Sequence, residues 1–454
     1  MTTSETGAVG PKRSLGKTIT IVVAGTIGNA LEWYDLFIYG YLAVIIGEVF
    51  FPTHNQVTSV LLAFGTFGAS YLMRPIGAAI LGSYADRFGR KAGMTMTIWL
   101  MGIGTAIMAF TPGYQTIGIG ATILVVLGKF IQGFSAGGEF GSSIAFLIES
   151  APKKHRTLFG SGEFVGIGIA TAMASIFGVI LNTFFTRAEV HAWAWRIPFI
   201  FGLLIVPLGI WIRHYVSETP AFAETAHQAV KAAPVAHIFK SAKGLILLCI
   251  GLYSLSGSAN YLLHAYMPTY AKLQLHIAPD IAFWGALGFS IVQIIGTPLL
   301  GMLCDRWGKL KFIITGIVLL SALSYPAFRL IINYPYPVVY ICTIVLMAML
   351  VTLATGPIPT FLTEQIPLEI RTTGLGLVHN LTFTFFGGFA PFVSVWLIKE
   401  TGDKFVPAYY VILTGILALA SGIAFTGMVL RAKKKSRTSS GLTNGLRVDV
   451  TQQI

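Results

Sequence analysis

Charged side chains are scarce in this sequence: Asp, Glu, Lys and Arg account for 11% of 454 residues, against about 25% in soluble domains. That shortage excludes an ordinary soluble chain. Polar stretches are equally short of supply, and only residues 1–17, 215–242 and 431–454 read as aqueous. Cysteine is limited to Cys249, Cys304 and Cys342 with no CxxC pair, so no disulfide framework is indicated. No GxxxxGK[ST] loop occurs, because Gly128-Lys129 is followed by Phe130; ATP-driven pumping by this chain alone is therefore not expected. The absence of a nucleophile elbow or a His/Cys metal spacing leaves no enzyme, metal or cofactor to expect. Alternation of period two is missing as well, which disfavours a barrel.

What fills the chain is apolar sequence, 54% of its residues. About twelve runs are long enough to cross a hydrocarbon core, which takes roughly 17 to 25 residues each. They lie near 18–47, 57–84, 94–111, 117–149, 158–184, 194–214, 243–272, 279–304, 312–333, 337–362, 372–398 and 406–430. The first is too long for a cleaved signal peptide and contains two acids, so it is expected to stay attached. Many of the fifty glycines, including Gly133, Gly137 and Gly141, are read as close-approach points between helices.

A net charge of +13 raises nucleic acid as a partner, but its distribution argues otherwise. Lys12, Arg13 and Lys17, then Arg87, Arg90 and Lys91, then Lys153, Lys154 and Arg156, then Arg306, Lys309 and Lys311, then Arg431 and Lys433 to Lys435 all fall in alternate connections. By the positive-inside rule both termini are expected to be cytoplasmic. Trp193 and Trp195 are read as interfacial anchors.

The chain also repeats itself. GSYADRFGRK begins at Gly82 and GMLCDRWGKL at Gly301, 219 residues apart. ESAPKKHRT begins at Glu149 and EQIPLEIRT at Glu364, 215 residues apart. Two loop motifs recurring at nearly one spacing indicate a duplicated six-helix unit, a mark of secondary transporters. The expected fold is an all-α membrane protein of twelve transmembrane helices in two pseudo-symmetric halves, 18–214 and 243–430. A cytoplasmic linker, 215–242, would join them, with an N-terminal tail at 1–17 and a basic, unstructured tail at 431–454. Two halves suffice for one path, so a monomer is expected. In the loops, Asp86, Arg87, Arg90, Glu149 and Arg156, repeated as Asp305, Arg306, Glu364 and Arg371, can cap or pair with helix ends as gating latches. A plain topology signal is the alternative reading.

These loops, with the duplicated layout, resemble the major facilitator superfamily. GNALEWYD, MRPIGAAILGSYADRFGRK and GKFIQGFSAGGEFG resemble more narrowly its metabolite:proton symporters, a branch carrying citrate and other carboxylates, shikimate, and proline or betaine. The resemblance spans residues 18 to 430 and adds a bacterial inner membrane as the expected location. One departure is Lys129, where the branch usually has Arg: a point charge replaces a fork that holds carboxylates bidentately.

A charge near the bilayer centre costs about 2.5–3.5 kcal/mol on insertion scales, so each must be paired, wetted or useful. The first half places Glu32, Asp35, Arg74, Lys129, Glu139 and Glu163 at membrane depth, four acids against two bases. At least two acids lack a cation to pair with, and protonation would neutralise them. In related sugar porters an acid in span one faces a base in span four, and the matching positions here are Asp35 and Lys129. Asp35 is therefore the expected proton carrier, with Glu32, Glu163 and Glu139 as alternates; a static buried pair is the competing reading. For a carboxylate substrate the candidates are Arg74 and Lys129, with Asn29, Trp33, Tyr34 and Gln132 beside them. Asn260, Tyr261, His264, His379 and Asn380 of the second half would complete a midplane cavity.

The tail has no heptad, unlike the extended tails of osmolyte carriers, and TPGYQTIGIGA and MPTYAKLQL resemble citrate-type members. The expected activity is proton-coupled import of a di- or tricarboxylate such as citrate. An osmolyte or shikimate-like acid is the alternative, and a drug:proton antiporter is disfavoured by the two deep cations.

Overall fold

A computed structural model describes residues 29–88, 90–137, 148, 151, 153–204, 206–209, 243–367 and 370–439, with the side chains at 85, 86, 90, 91, 94, 153, 372 and 429–439 outside the description. Among these residues all regular structure is helical. Helix α1 runs Asn29–Tyr41 and continues as Ala43–Phe50 after a 66° bend at Leu42. It is followed by α2 (Gln56–Phe88), α3 (Arg90–Phe110), α4 (Ile119–Ala136), α5 (Arg156–Phe184) and α6 (Arg187–Gly209). The second half contains α7 (Lys243–Gln274), α8 (Pro279–Trp307), α9 (Lys309–Asn333), α10 (Pro337–Gln365), α11 (Thr373–Thr401) and α12 (Val406–Ser439). Ten of these are long and apolar enough to span a membrane and the bent α1 makes an eleventh. The twelfth, α3, is 21 residues long with an apolar stretch over Thr95–Phe110.

Each half is held by backbone-close packing. A methyl group on Gly133 would overlap the carbonyl of Ser70, one on Gly137 that of Arg74, and one on Gly77 that of Phe134. Side chains of any size would drive α2 from α4, and small residues are what let membrane helices approach. Arg74 and Lys129 are thereby brought within one layer. Gly141 lies outside the described residues. Between halves, α5 packs along α8 and α2 along α11. Gly168 lies against Ile294, Gly65 against Phe392 and Gly68 against Phe389.

The halves meet at both ends of these seams. At one end, Asp305 of α8 accepts hydrogen bonds from the Thr157 and Leu158 backbone amides at 3.0–3.1 Å and from the Thr157 hydroxyl at 2.5 Å. These amides open α5 and have no intrahelical acceptor, so the carboxylate caps a helix of the opposite half. At the other end the Lys399 ammonium donates to Thr58 at 3.2 Å, and the Phe64 and Tyr266 rings meet edge to face.

Three features depart from the sequence reading. Helix α12 runs on to Ser439, so residues 431–439 are helical where an unstructured tail was expected; Lys, Arg and Ala favour helix, and cations suit a helix C-terminus. Trp195 is fully buried against Phe50 and Phe199, while Trp193 is exposed, so only Trp193 has the exposure of an anchor. Helices α7 and α11 each widen into a π-helical stretch, at Asn260–Tyr266 and Phe383–Gly388. Such bulges are local distortions that often accompany function.

Candidate functional site

Three polar clusters are built on α1 and its neighbours in the first half, and the second of them reaches the other half through Tyr71 and Trp33.

The first joins Asp35 to Lys129. Both are completely buried, yet the ion pairs within 4.0 Å between described residues are Arg187–Glu48, His191–Glu48 and Lys309–Glu364 only. Two intermediaries connect them. The Lys129 ammonium donates to Gln132 Oε1 at 2.8 Å, Gln132 Nε2 donates to Thr105 Oγ1 at 3.0 Å, and the Thr105 hydroxyl is hydrogen-bonded to Asp35 Oδ2. Oδ1 of Asp35 has no protein partner and lies against Gly202, where any side chain would displace it. Lys129 also sits 4.5 Å from the Tyr39 ring centroid and 5.7 Å from that of Phe67.

The second cluster surrounds Arg74, which is 2% exposed. Its guanidinium lies 4.0 Å from the Tyr71 ring and 5.7 Å from the Trp33 ring. No carboxylate among the described residues pairs with it, and Nε and Nη2 have no hydrogen-bond partner. A buried cation stacked on rings, with no carboxylate among the described residues within 4.0 Å, has the donor set for an incoming carboxylate, which a guanidinium grips with two parallel bonds. The Tyr71 hydroxyl meets that of Tyr261 across the halves, and Trp33 touches Phe383 and His379 at 6.1 and 6.3 Å. Phe67 and Tyr71, the rings beneath Lys129 and Arg74, have centroids 5.3 Å apart. The two cations therefore occupy neighbouring seats.

The third cluster is centred on Glu163 of α5, buried and accepting from Trp33 Nε1 at 3.3 Å; its backbone carbonyl accepts from Asn29. Glu32 is half-buried. Glu139 lies outside the described residues.

Other expected site residues fall as follows. The Tyr34 hydroxyl donates to the Pro198 carbonyl at 2.8 Å, turning this side chain to α6 and away from Arg74. His264 stacks on Phe289 at 4.2 Å and hydrogen-bonds Ser290, which in turn bonds Thr171 of the first half. His379 stacks on Phe383 at 4.2 Å, and Asn380 donates to the Gly137 carbonyl across the halves. Asn260 accepts from Gln293, whose own Oε1 has no partner.

Among the latch candidates, Glu149 and the side chains of Asp86 and Arg90 lie outside the described residues. Arg87 and Arg306 are exposed, Arg371 donates to the Ile366 carbonyl, and Arg156 Nε has no partner. Glu364 pairs with Lys309, both of its oxygens 2.9 Å from the ammonium. Thr105, Tyr71, Gln293 and Lys309 were missed as site residues, the first three because an uncharged polar side chain in an apolar run costs less to bury than a charge and so stands out less.

Residues 20–241 match the family described as "Sugar (and other) transporter" and residues 251–449 the "Major Facilitator Superfamily". A "Citrate-proton symporter" of Klebsiella pneumoniae is 33% identical over 404 residues, 89% of this chain and 91% of that protein. The chain belongs to the major facilitator superfamily. A "Proline/betaine transporter" of Escherichia coli K12 is 30% identical over 422 residues, covering 90% of this chain and 83% of that protein. The xylose transporter XylE from E. coli, in a partially occluded inward-open conformation, superposes with a TM-score of 0.71 at 16% identity, covering 90% and 97% of the two chains. The major facilitator fold is thus shared well beyond detectable sequence likeness. The chain is a multi-pass membrane transporter of the metabolite:proton symporter branch, not an enzyme.

Proposed function

We propose that this chain imports a small organic acid together with protons by alternating access, with a di- or tricarboxylate such as citrate as its substrate. The observation that carries this reading is the pair of buried cations on adjacent rings, Arg74 over Tyr71 and Lys129 near Phe67, with no carboxylate in contact with either. A polyanion can bridge the two. Asp35 carries the proton, and Gln293, Asn260 and His264 offer polar atoms from the second half. Asp305 with Thr157, and Lys309 with Glu364, act as latches that part when the path opens on their side. Residues 18–214 and 243–430 are the moving halves, 215–242 the linker, and both termini face the cytoplasm of a bacterial inner membrane. The monomer is the working unit.

A zwitterionic osmolyte is the second reading. Trp33, Tyr71, Tyr253, Tyr261 and Phe383 form contiguous rings near Arg74 that suit a quaternary ammonium. Uptake of labelled citrate, shikimate, proline and glycine betaine into proteoliposomes under an inward proton gradient decides between them. Citrate accumulated by wild type, and not by Asp35→Asn although exchange survives, supports the first reading. Concentration of glycine betaine alone supports the second, and uptake indifferent to the gradient refutes proton coupling.

A further inference from the structure

Thr105 stands between the acid and the base, and its three polar neighbours demand more of its hydroxyl than one proton can serve. A hydroxyl has one donor and two acceptor sites. Thr105 Oγ1 accepts from Gln132 Nε2 at 3.0 Å, lies 2.9 Å from the Met101 carbonyl, and contacts Asp35 Oδ2. The Gln132 amide is fixed in orientation, because the Lys129 ammonium can only donate and so holds Oε1. Thr105 is completely buried, and it is the one hydrogen-bond partner of Asp35 among the described residues.

When Asp35 is a carboxylate, the Thr105 proton must point to it. Every donor then runs one way, from the Lys129 ammonium through Gln132 and Thr105 to Asp35, and such aligned chains polarise cooperatively. When Asp35 is protonated, its O–H donates to the remaining lone pair of Thr105, and the Thr105 proton turns to the Met101 carbonyl. All three contacts are satisfied in that state, whereas the carboxylate state leaves the Met101 carbonyl without the Thr105 proton. The negative end of the chain has gone, leaving Lys129 against a neutral amide and the rings of Tyr39 and Phe67.

We propose that Thr105 is the positioning residue that couples the proton to the substrate: its hydroxyl turns between Asp35 and the Met101 carbonyl, and this turn frees Lys129 for an anion once Asp35 is protonated. This rests on the reading of the chain as a proton-coupled carboxylate importer. The charged and titratable groups that the described contacts place beside this chain are Lys129 on α4 and Arg74 on α2, with Tyr34 and Tyr39 on α1 itself. The stretch of α6 facing Asp35, from Pro198 to Leu204, bears none. Among the described residues, the Gln132–Thr105 bridge is what connects Asp35 to one of these cations through hydrogen bonds.

Thr105→Val keeps the shape and removes the hydroxyl, and Thr105→Ser restores the hydroxyl. In proteoliposomes with labelled citrate, Thr105→Val is expected to lose gradient-driven accumulation by at least about tenfold, the scale of a lost charge-assisted hydrogen bond. Exchange at equal pH on both sides is expected to persist, and Thr105→Ser is expected to recover accumulation. A purely structural Thr105 would lower exchange and accumulation together, and that result overturns the proposal, as does wild-type accumulation in Thr105→Val. A second readout needs no substrate. The infrared carboxyl band of protonated Asp35, identified by its disappearance in Asp35→Asn, is expected to shift in Thr105→Val and return in Thr105→Ser. If wild type ignores citrate while the band behaves so, the carboxylate reading fails and the Asp35–Thr105 switch stands. An unmoved band overturns the switch even where citrate is carried.

Discussion

Arg74 and Tyr71 lie one helical turn apart on α2, and the guanidinium of the first covers the ring of the second at 4.0 Å. The ring stabilises the cation without neutralising it. Because Tyr71 also meets Tyr261 of the other half, the seat for an anion and the contact between halves share one side chain. An anion seated on Arg74 is therefore expected to be coupled to closure of the halves.

Replacement of Arg74 therefore has a definite expected outcome. A charge-assisted hydrogen bond contributes about 1.5–3 kcal/mol, so Arg74→Gln is expected to weaken citrate binding by about ten- to a hundredfold. Arg74→Lys keeps the charge but not the fork, and should recover part of the loss. Binding measured by isothermal titration on detergent-purified protein checks this. Unchanged affinity in Arg74→Gln would remove Arg74 from the site.

Close approach of α2 and α4 gives a stability prediction. A methyl at Gly133 meets the Ser70 backbone, whereas one at Gly427 meets nothing within 4 Å. Overpacking costs typically about 1–3 kcal/mol, while Gly to Ala in an open helical position gains up to about 1 kcal/mol. Gly133→Ala is expected to lower the melting temperature in detergent and Gly427→Ala to hold or raise it. Equal melting temperatures would show that the two helices can part at no cost.

The latch at Asp305 can be read through its neighbour. Cys304 is 1% exposed and adjacent to the carboxylate that caps α5. Losing such a cap costs about 1 kcal/mol or more, so Asp305→Ala should raise the open population and the maleimide labelling rate of Cys304 by about fivefold to tenfold. The measurement uses a Cys249→Ser, Cys342→Ser background. Labelling no faster than in the parent would mean that the cap does not hold the halves together.

Much of this was legible in the sequence, and the reasons differ by feature. Most of the helices follow from run length, because the bilayer sets a minimum that ten of them and the bent α1 meet, whereas the apolar stretch of α3 covers only Thr95–Phe110. Arg74, Lys129, Asp35 and Glu163 stood out because a charge at depth is costly. Thr105 sits in GIGTAIMAF, where a hydroxyl can satisfy itself on its own helix, so nothing marked it. The bend at Leu42 and the π-helical stretches of α7 and α11 were not read from the sequence, although Gly40 stands two residues before the bend and Gly387-Gly388 lie within the α11 stretch. Lys309 looked like a weakened copy of the loop motif, yet it is the partner that Glu364 uses.

Asp35 and Glu163 are both buried acids, and their surroundings separate their roles. Glu163 accepts from the Trp33 indole and is joined by hydrogen bonds to no cation, so a neutral amide can replace it and still accept the same bond. Asp35 ends a chain that begins at Lys129, and its charge is what orients that chain. Glu163→Gln is therefore expected to retain gradient-driven citrate accumulation within about threefold of wild type, a change of less than 1 kcal/mol. Asp35→Asn is expected to abolish it while exchange continues. Side-by-side accumulation and exchange assays on the two variants check the assignment. Retention in Asp35→Asn with loss in Glu163→Gln would move the proton from α1 to α5, and the hydroxyl switch at Thr105 would then have no proton to report.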